Sequence, residues 1–321
     1  MNQKGGFLRD LRKELKEPVL RLNKRRSSFQ CVLETKLACC HGRGYRLEAS
    51  GPYTRAKLCD CVERCPRCYG KAMKTEGGCS KPCRDFSPRR FVNIINGASI
   101  PSRYGEASLE NFANLSGNGR EIIKFAIDWS QSFSPGRSKG IILGGTVGVG
   151  KTYIIAALAK ALAKRGFSVK FVDFFQLLAE LKAGYANDQA DASIIQPLID
   201  VDVLFIDELG KGKSSDWEIS ILDQLVMGRY NQNKIVVAST NYGLRSGKSG
   251  TIGGRYESES SGKGFSLDEL ESLEYRVESR IYSRLMETSI IWEMTGDDYR
   301  KRLSTTLQEL TRGRKGYRHI T

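Results

Sequence analysis

The sequence predicts an α/β fold, a three-layer arrangement around a five-stranded parallel sheet, preceded by a small cysteine-rich region. Three observations predict it. From about Ile100, short apolar runs alternate with segments of helical periodicity, the texture of parallel strands joined by crossover helices. One such run, GIILG at Gly140–Gly144, passes directly into the glycine-rich stretch GGTVGVGKT at Gly144–Thr152. All nine cysteines, in contrast, lie between Cys31 and Cys83, so the first third of the chain is organised differently.

The elements follow in order. Residues 7–22 carry apolar side chains at Phe7, Leu8, Leu11, Leu15, Val19 and Leu22, with Lys and Arg on the other face and Pro18 as a kink. Residues 1–30 are therefore expected as a basic amphipathic helix, docking on its own protein or on a partner. Residues 31–90 form the cysteine-rich module, without the periodicity of long elements, and Arg84–Arg90, with Pro88, reads as the linker out of it. In the α/β part, residues 100–302, strands are expected at Gly140–Gly144, Val169–Asp173, Val201–Ile206, Ile235–Ala238 and Ser289–Trp292. Helices are expected at Lys151–Arg165, Phe174–Lys182 and Asp216–Tyr230. Residues 243–264 hold seven Gly and five Ser and read as a flexible insertion. A later helix is expected to open with a capping box, Ser266 and Glu269 in SLDE, and to carry Arg276, Arg280 and Arg284 on one face. Residues 303–321 form a basic tail.

Composition narrows the function classes. At 321 residues, 40% hydrophobic and 27% charged, the chain reads as soluble and globular. It contains no run of ~18 apolar residues that would span a bilayer. MNQKGGFLRDLRKELKEP lacks the apolar block of a signal peptide, so a cytoplasmic location without membrane association is expected. Residues 1–100 carry 22 Lys+Arg against 9 Asp+Glu, a surplus of +13 out of the total of +15. Charge concentrated in that way points to a polyanion partner or to a solvated face.

The chemistry is in the α/β part. Gly144–Thr152 satisfies G-x-x-x-x-G-K-[ST] between a strand and a helix, the pattern of a phosphate-binding loop. Gly145, Gly148 and Gly150, with Thr146, Val147 and Val149 between them, can turn backbone amides inward around phosphates, and the helix beginning at Lys151 aims its positive end at the same charge. Lys151 would contact the β- and γ-phosphates of ATP, and the Thr152 hydroxyl would ligate Mg²⁺. Tyr153 follows within the nucleotide-binding set, its side chain expected to face the core. VLFIDE at Val203–Glu208 delivers two acids at the carboxyl end of a buried strand. Asp207 would hold the Mg²⁺ shell, and Glu208 would orient and deprotonate the attacking water. Asn241, in ASTNY, is placed to sense the γ-phosphate or is a turn residue. Arg284 is either part of an exposed face or an arginine finger toward a neighbouring subunit, and Arg300 could contact phosphate within its own subunit.

The cysteines suggest a metal. Cys65-Pro66-Arg67-Cys68-Tyr69-Gly70 is a C-x-x-C turn followed by glycine, flanked by Cys59, Cys61, Cys79 and Cys83, with Cys39-Cys40-His41-Gly42-Arg43-Gly44 upstream. Clustering in a cytosolic chain favours Zn²⁺ over disulfides. Cys40, Cys59, Cys61, Cys65, Cys68 and Cys83 are the candidate ligands, in one site or two. The CxGxG and CxxCxG pieces look like fragments of the DnaJ-type zinc module.

GGTVGVGKT, LFIDELG, WEISILDQLVMGRY, ASTNY, ESRIYSRL and TGDDYR, in that order, resemble the AAA+ ATPases of the DnaC/DnaI helicase-loader and IstB type. The resemblance covers about Ile100 to Arg302. It implies Walker A at Lys151 and Thr152, Walker B at Asp207 and Glu208, sensor 1 at Asn241, the arginine finger at Arg284 and sensor 2 at Arg300. It also implies a reduced lid, an adenine pocket lined by residues such as Tyr104, and an ATP-dependent homo-oligomer on single-stranded DNA that delivers a replicative DNA helicase. Two other readings stay open: an IstB-like transposition helper, and a zinc-dependent nucleic-acid binder that uses ATP only as a switch. Retrieval of a helicase or a transposase separates the first pair, and the Glu208→Gln phenotype separates the third.

Overall fold

The computed structural model describes residues 40, 43–60, 73–76, 79–82, 87–114, 116–185, 191–212, 214–244 and 272–301. The expected N-terminal helix, the Gly/Ser-rich insertion from residue 245 onward, the Ser266–Glu269 capping box and the basic tail lie outside the described residues. These fall into two compact units, one within Met1–Arg46 and Lys57–Arg89, the other within Leu47–Ala56 and Arg90–Thr321. No helix among the described residues is long and apolar enough to cross a membrane.

Strands β1 (Tyr45–Ser50) and β2 (Tyr53–Leu58) pair with one another, and β3 (Met73–Glu76) pairs antiparallel with β4 (Cys79–Pro82). In the smaller unit Cys40 and Cys59 are buried and unbridged. The Gly44 N–H donates to Cys40 Sγ at 3.2 Å, and the Cys59 N–H donates to the Gly44 carbonyl at 3.0 Å. The segment Leu47–Ala56 belongs to the larger unit. There the Thr54 N–H donates to Ile100 O at 2.7 Å, and Asn96 bonds both backbone groups of Ala56, accepting from its N–H at 2.7 Å and donating to its carbonyl at 3.0 Å. Asn96 thus supplies a strand edge with the partners that a ladder would give.

The larger unit is the α/β domain, with the fold class expected from the sequence. Its sheet comprises β5 (Gly140–Gly145), β6 (Val169–Asp173), β7 (Val203–Asp207), β8 (Ile235–Ser239) and β9 (Ser289–Met294), parallel throughout in the order β6-β7-β8-β5-β9. Every residue of β7 and β8 is buried, as parallel strands covered on both faces must be. Alternation splits the two faces. Ile142, Leu204, Ile206, Val236 and Ala238 join one core, with Leu177, Leu181, Leu198, Leu222, Leu225 and Ile281 from the covering helices. The opposite face is covered by the helix Lys151–Arg165 (α3), whose Ile154, Ile155, Leu158 and Leu162 are all buried. Four of its five alanines, Ala156, Ala157, Ala159 and Ala163, are buried as well, so the helix lies close on the sheet.

The helices are α1 (Ser87–Ala98), α2 (Gly119–Ser132), α3 (Lys151–Arg165), α4 (Phe174–Tyr185), α5 (Asp191–Asp200), α6 (Asp216–Tyr230), α7 (Leu273–Val277) and α8 (Ser279–Thr288). α6 opens with a full capping box, Ser215 and Glu218. Two expectations are corrected here. The linker read at Arg84–Arg90 overlaps α1, which Pro88 enters in its first turn, where a missing N–H costs nothing. The three arginines do not share one helix face, because Glu278, with φ +64°, breaks the helix between Val277 and Ser279. Arg276 instead braces the loop after β7, donating to Gly210 O at 3.2 Å, Gly212 O at 2.5 Å and Tyr242 Oη at 2.9 Å.

Candidate nucleotide site

The carboxyl ends of β5, β7 and β8 open into a cavity of about 330 Å³. Its floor is the loop between β5 and α3. Gly148 has φ +88°, and a Cβ there would sit 2.0 Å from Asp298 Oδ1; Gly150 has φ +109°, and its Cβ would meet the Phe112 ring at 2.7 Å. Only glycine satisfies both backbone and space at these points. The Lys151 ammonium donates to Gly145 O at 2.6 Å and Thr146 O at 2.8 Å, so the loop's own carbonyls hold it over the cradle. Burial pulls the lysine down to about 8, offset in part by Asp207, with Arg300 lowering it further and Glu208 raising it.

The acids sit opposite. Asp207, 8% exposed, accepts from Thr152 Oγ1 at 3.0 Å and from the Ser239 hydroxyl. Burial raises its carboxyl above the ordinary range, the two hydroxyl bonds pull it back, and Glu208 and Asp173 add to the rise. A dication beside Asp207 and Thr152 would relieve that cost, and their oxygens are the hard donors that Mg²⁺ takes. Glu208 has φ +55°, and its N–H donates to Ser239 Oγ at 3.2 Å. Asn241 and Arg300 line the same cavity, and the Arg300 N–H donates to Asp298 Oδ1 at 2.9 Å. Arg103 and Tyr104 form another part of the wall.

Two predicted residues lie elsewhere than expected or apart from the rest. Tyr153 does not face the core. It lines the cavity, 5.6 Å from the Phe112 ring centroid, and its hydroxyl exchanges hydrogen bonds with the Ser108 backbone, 3.2 Å each. Arg284 is not part of the cavity wall; it donates to Arg280 O at 2.9 Å and lies 5.9 Å from the Tyr230 ring.

The family model for the IstB-like ATP binding protein matches residues 85–246, just over half of the 321 residues. The chain belongs to that family. The IstB-like chain is 24% identical over 153 residues to the replicative helicase loader DnaC of Buchnera aphidicola subsp. Schizaphis graminum, covering 47% of this chain and 62% of that protein. It is 26% identical over 159 residues to the replicative helicase loader DnaC of Escherichia coli (strain K12), covering 49% and 64%. It thus spans less than two thirds of the length of these relatives. Among solved structures, the crystal structure of the DnaC helicase loader is similar over 60% of the IstB-like chain and 99% of its own, with TM-score 0.49 and 24% identity.

Sequence reasoning missed how the cavity is tied together. Asn114, buried, donates from Nδ2 to Val149 O at 3.1 Å in the phosphate loop and to Asp297 O at 3.0 Å, and accepts from Ser116 Oγ at 2.7 Å. The Tyr299 N–H donates to Gly148 O at 3.1 Å. One amide therefore joins the entry segment, the phosphate loop and the GDDYR segment of the IstB-like chain. Its sequence signal is an Asn in an unstructured stretch, which alone says nothing. Ser239, the hydroxyl between Asp207 and Glu208, had a signal in ASTNY that was read only for Asn241.

The zinc ligands are a different case. Cys61, Cys65, Cys68 and Cys83 lie outside the described residues, and no group of three or more His, Cys, Asp or Glu side chains that could hold a metal is found among the described ones. Cys40 accepts an N–H from Gly44 as a metal-bound sulfur would, but Cys40 and Cys59 alone do not make a site.

Proposed function

We propose that this chain is a Mg²⁺-dependent ATPase that acts as a DNA replication helicase loader. The observation that carries the ATPase reading is the convergence of Lys151, the Thr152–Asp207 pair and Glu208 on one cavity with Asn241 and Arg300. Lys151 exchanges the carbonyls of Gly145 and Thr146 for the β- and γ-phosphates. Thr152 and Asp207 would hold Mg²⁺, which when bound would supply neutralisation of phosphate charge. Glu208 takes the proton of the attacking water, Asn241 positions that water, and Arg300 neutralises charge on the γ-phosphate. Gly145 to Gly150 supply the amide cradle, and Tyr104 and Tyr153 flank the base and ribose. Arg284, away from the cavity of its own subunit, fits a role at a neighbouring subunit's γ-phosphate in an ATP-dependent homo-oligomer.

The names of the relatives, replicative helicase loaders, support a replicative DNA helicase as partner; single-stranded DNA as the second ligand and the cytoplasm as the location belong to the same reading. The basic first third, +13 over residues 1–100, supports a polyanion contact there. Within that region Cys40, Cys59, Cys61, Cys65, Cys68 and Cys83 would bind Zn²⁺. The Gly44 N–H on Cys40 and the burial of Cys59 support this reading. Metal quantification on the purified protein reads it out, and a folded, zinc-free protein would refute it.

The family's name gives a second reading, an IstB-like ATPase helper in transposition. Affinity capture on the tagged protein with Mg-ATP decides between the two. The loader reading expects a replicative helicase among the retained proteins; a transposase without helicase would replace it. A nucleic-acid binder using ATP only as a switch would keep its function with Glu208→Gln, whereas a hydrolysing loader would stall.

A further inference from the structure

Lys211 lies three residues beyond Glu208, and its ammonium is paired with Glu208 Oε2. The pair is open to solvent, with 49% of the lysine side chain and 31% of the glutamate side chain exposed. Two contacts fix the lysine there. Its N–H donates to the Glu208 carbonyl at 3.0 Å, closing a turn, and its Nζ lies 5.8 Å from the ring centroid of Phe175, in the first turn of α4. Phe175 is one of the few large apolar side chains exposed among the described residues, at 56%. A lysine between an exposed ring and a carboxylate gains attraction from both.

The position of Glu208 gives that contact a consequence. Its backbone is set by the left-handed conformation, φ +55°, and by the bond to Ser239, so only the side chain is left to move. A carboxylate that takes a proton from water must present a free lone pair to that water, at hydrogen-bond distance. An ammonium on Oε2 engages that oxygen and holds the carboxylate to the lysine.

We propose that Lys211 restrains Glu208, so that ATP hydrolysis requires the lysine to release the carboxylate. The inference rests on the assignment of Glu208 as the water-activating base. Lys211 is a positioning residue: it does not line the cavity and acts through Glu208. An exposed ion pair is weak, so removing it raises turnover by about two- to fivefold.

The experiment is steady-state ATP hydrolysis at saturating Mg-ATP by the full chain. The variants are Lys211→Ala, Lys211→Arg, Glu208→Gln and the Lys211→Ala/Glu208→Gln double, each at low salt and at about 0.5 M salt. Expected are a raised kcat for Lys211→Ala with KM for ATP unchanged, and a wild-type kcat for Lys211→Arg. Added salt should raise turnover of the wild type but not of Lys211→Ala, and the double variant should be as slow as Glu208→Gln. An unchanged or lowered kcat for Lys211→Ala, with Glu208→Gln inactive, overturns the restraint and leaves the assignment of Glu208 standing. Wild-type turnover by Glu208→Gln overturns that assignment and the restraint with it.

Discussion

Replacing Asn114 by Ala removes a side chain that bonds both the phosphate loop and the GDDYR segment. Two acceptors lose their donor. Val149 O belongs to a bond buried from solvent, and an unsatisfied buried carbonyl costs about 1–3 kcal/mol. Asp297 O belongs to an exposed residue and can take water instead, at a cost of about 0.5–1 kcal/mol. The expected loss of stability is therefore about 2–4 kcal/mol, read from the midpoint of urea unfolding at constant slope. Nucleotide affinity should fall as well, because the loop now has to be ordered by the ligand; a tenfold rise in Kd corresponds to about 1.4 kcal/mol. A fluorescent ATP analogue titrated into the folded variant measures it. Asn114→Asp is the stringent companion, since it turns an oxygen toward two carbonyls and should be at least as damaging as Ala. An alanine variant with wild-type midpoint and wild-type affinity would show that the amide joins nothing of consequence.

Two further tests address buried cations. Arg229, 0% exposed, donates to the carbonyls of Leu198, Ile199, Val201, Asp202 and Ile235, so Arg229→Met should cost about 3–5 kcal/mol in urea unfolding. Nucleotide affinity should not change, since Arg229 does not line the cavity; a loss below ~1 kcal/mol would contradict the network. Lys151, pulled down to about 8 by burial, should be driven back to the ammonium by phosphate. ATP binding should then take up protons at about pH 8.5 and almost none from this group at about pH 6.5, as measured by calorimetry in buffers of different ionisation heat. The stability linkage has the opposite sign: the unfolded chain, at 10.5, binds more protons than the fold, so this group's penalty is full below about 8 and fades as pH rises from about 8 toward 10.5.

The parts of the fold legible in the sequence are those set by local chemistry. Lys151–Arg165 and Asp216–Tyr230 have the same bounds in the structure as in the sequence reading, because a glycine loop opens one and Ser215 caps the other. Strand β7 begins two residues later than the Val201–Ile206 that the sequence predicts, since Val201 and Asp202 continue the apolar alternation while the ladder with β6 begins at Val203. Helix α5 was not expected; Pro197 inside it argues against a helix. The break at Glu278 was invisible for a different reason. A left-handed glutamate has no signature, and the arginine spacing fits an unbroken helix equally well. Within the site, motifs located the residues that share a sequence window with the phosphates, and the remainder are long-range. Asn114 reaches a carbonyl 183 positions away, Asp298 abuts Gly148 across the sheet end, and no window contains either pair.

The most direct measurement is nucleotide binding and turnover on the same preparations of wild type, Lys151→Ala and Glu208→Gln. Hydrolysis built on this cavity predicts that the wild type binds and turns over ATP, and that Lys151→Ala loses affinity. Glu208→Gln should bind ATP about as tightly as the wild type while its turnover falls about a hundredfold or more, the scale of losing a general base. Turnover in Glu208→Gln equal to the wild type, with binding intact, would contradict it.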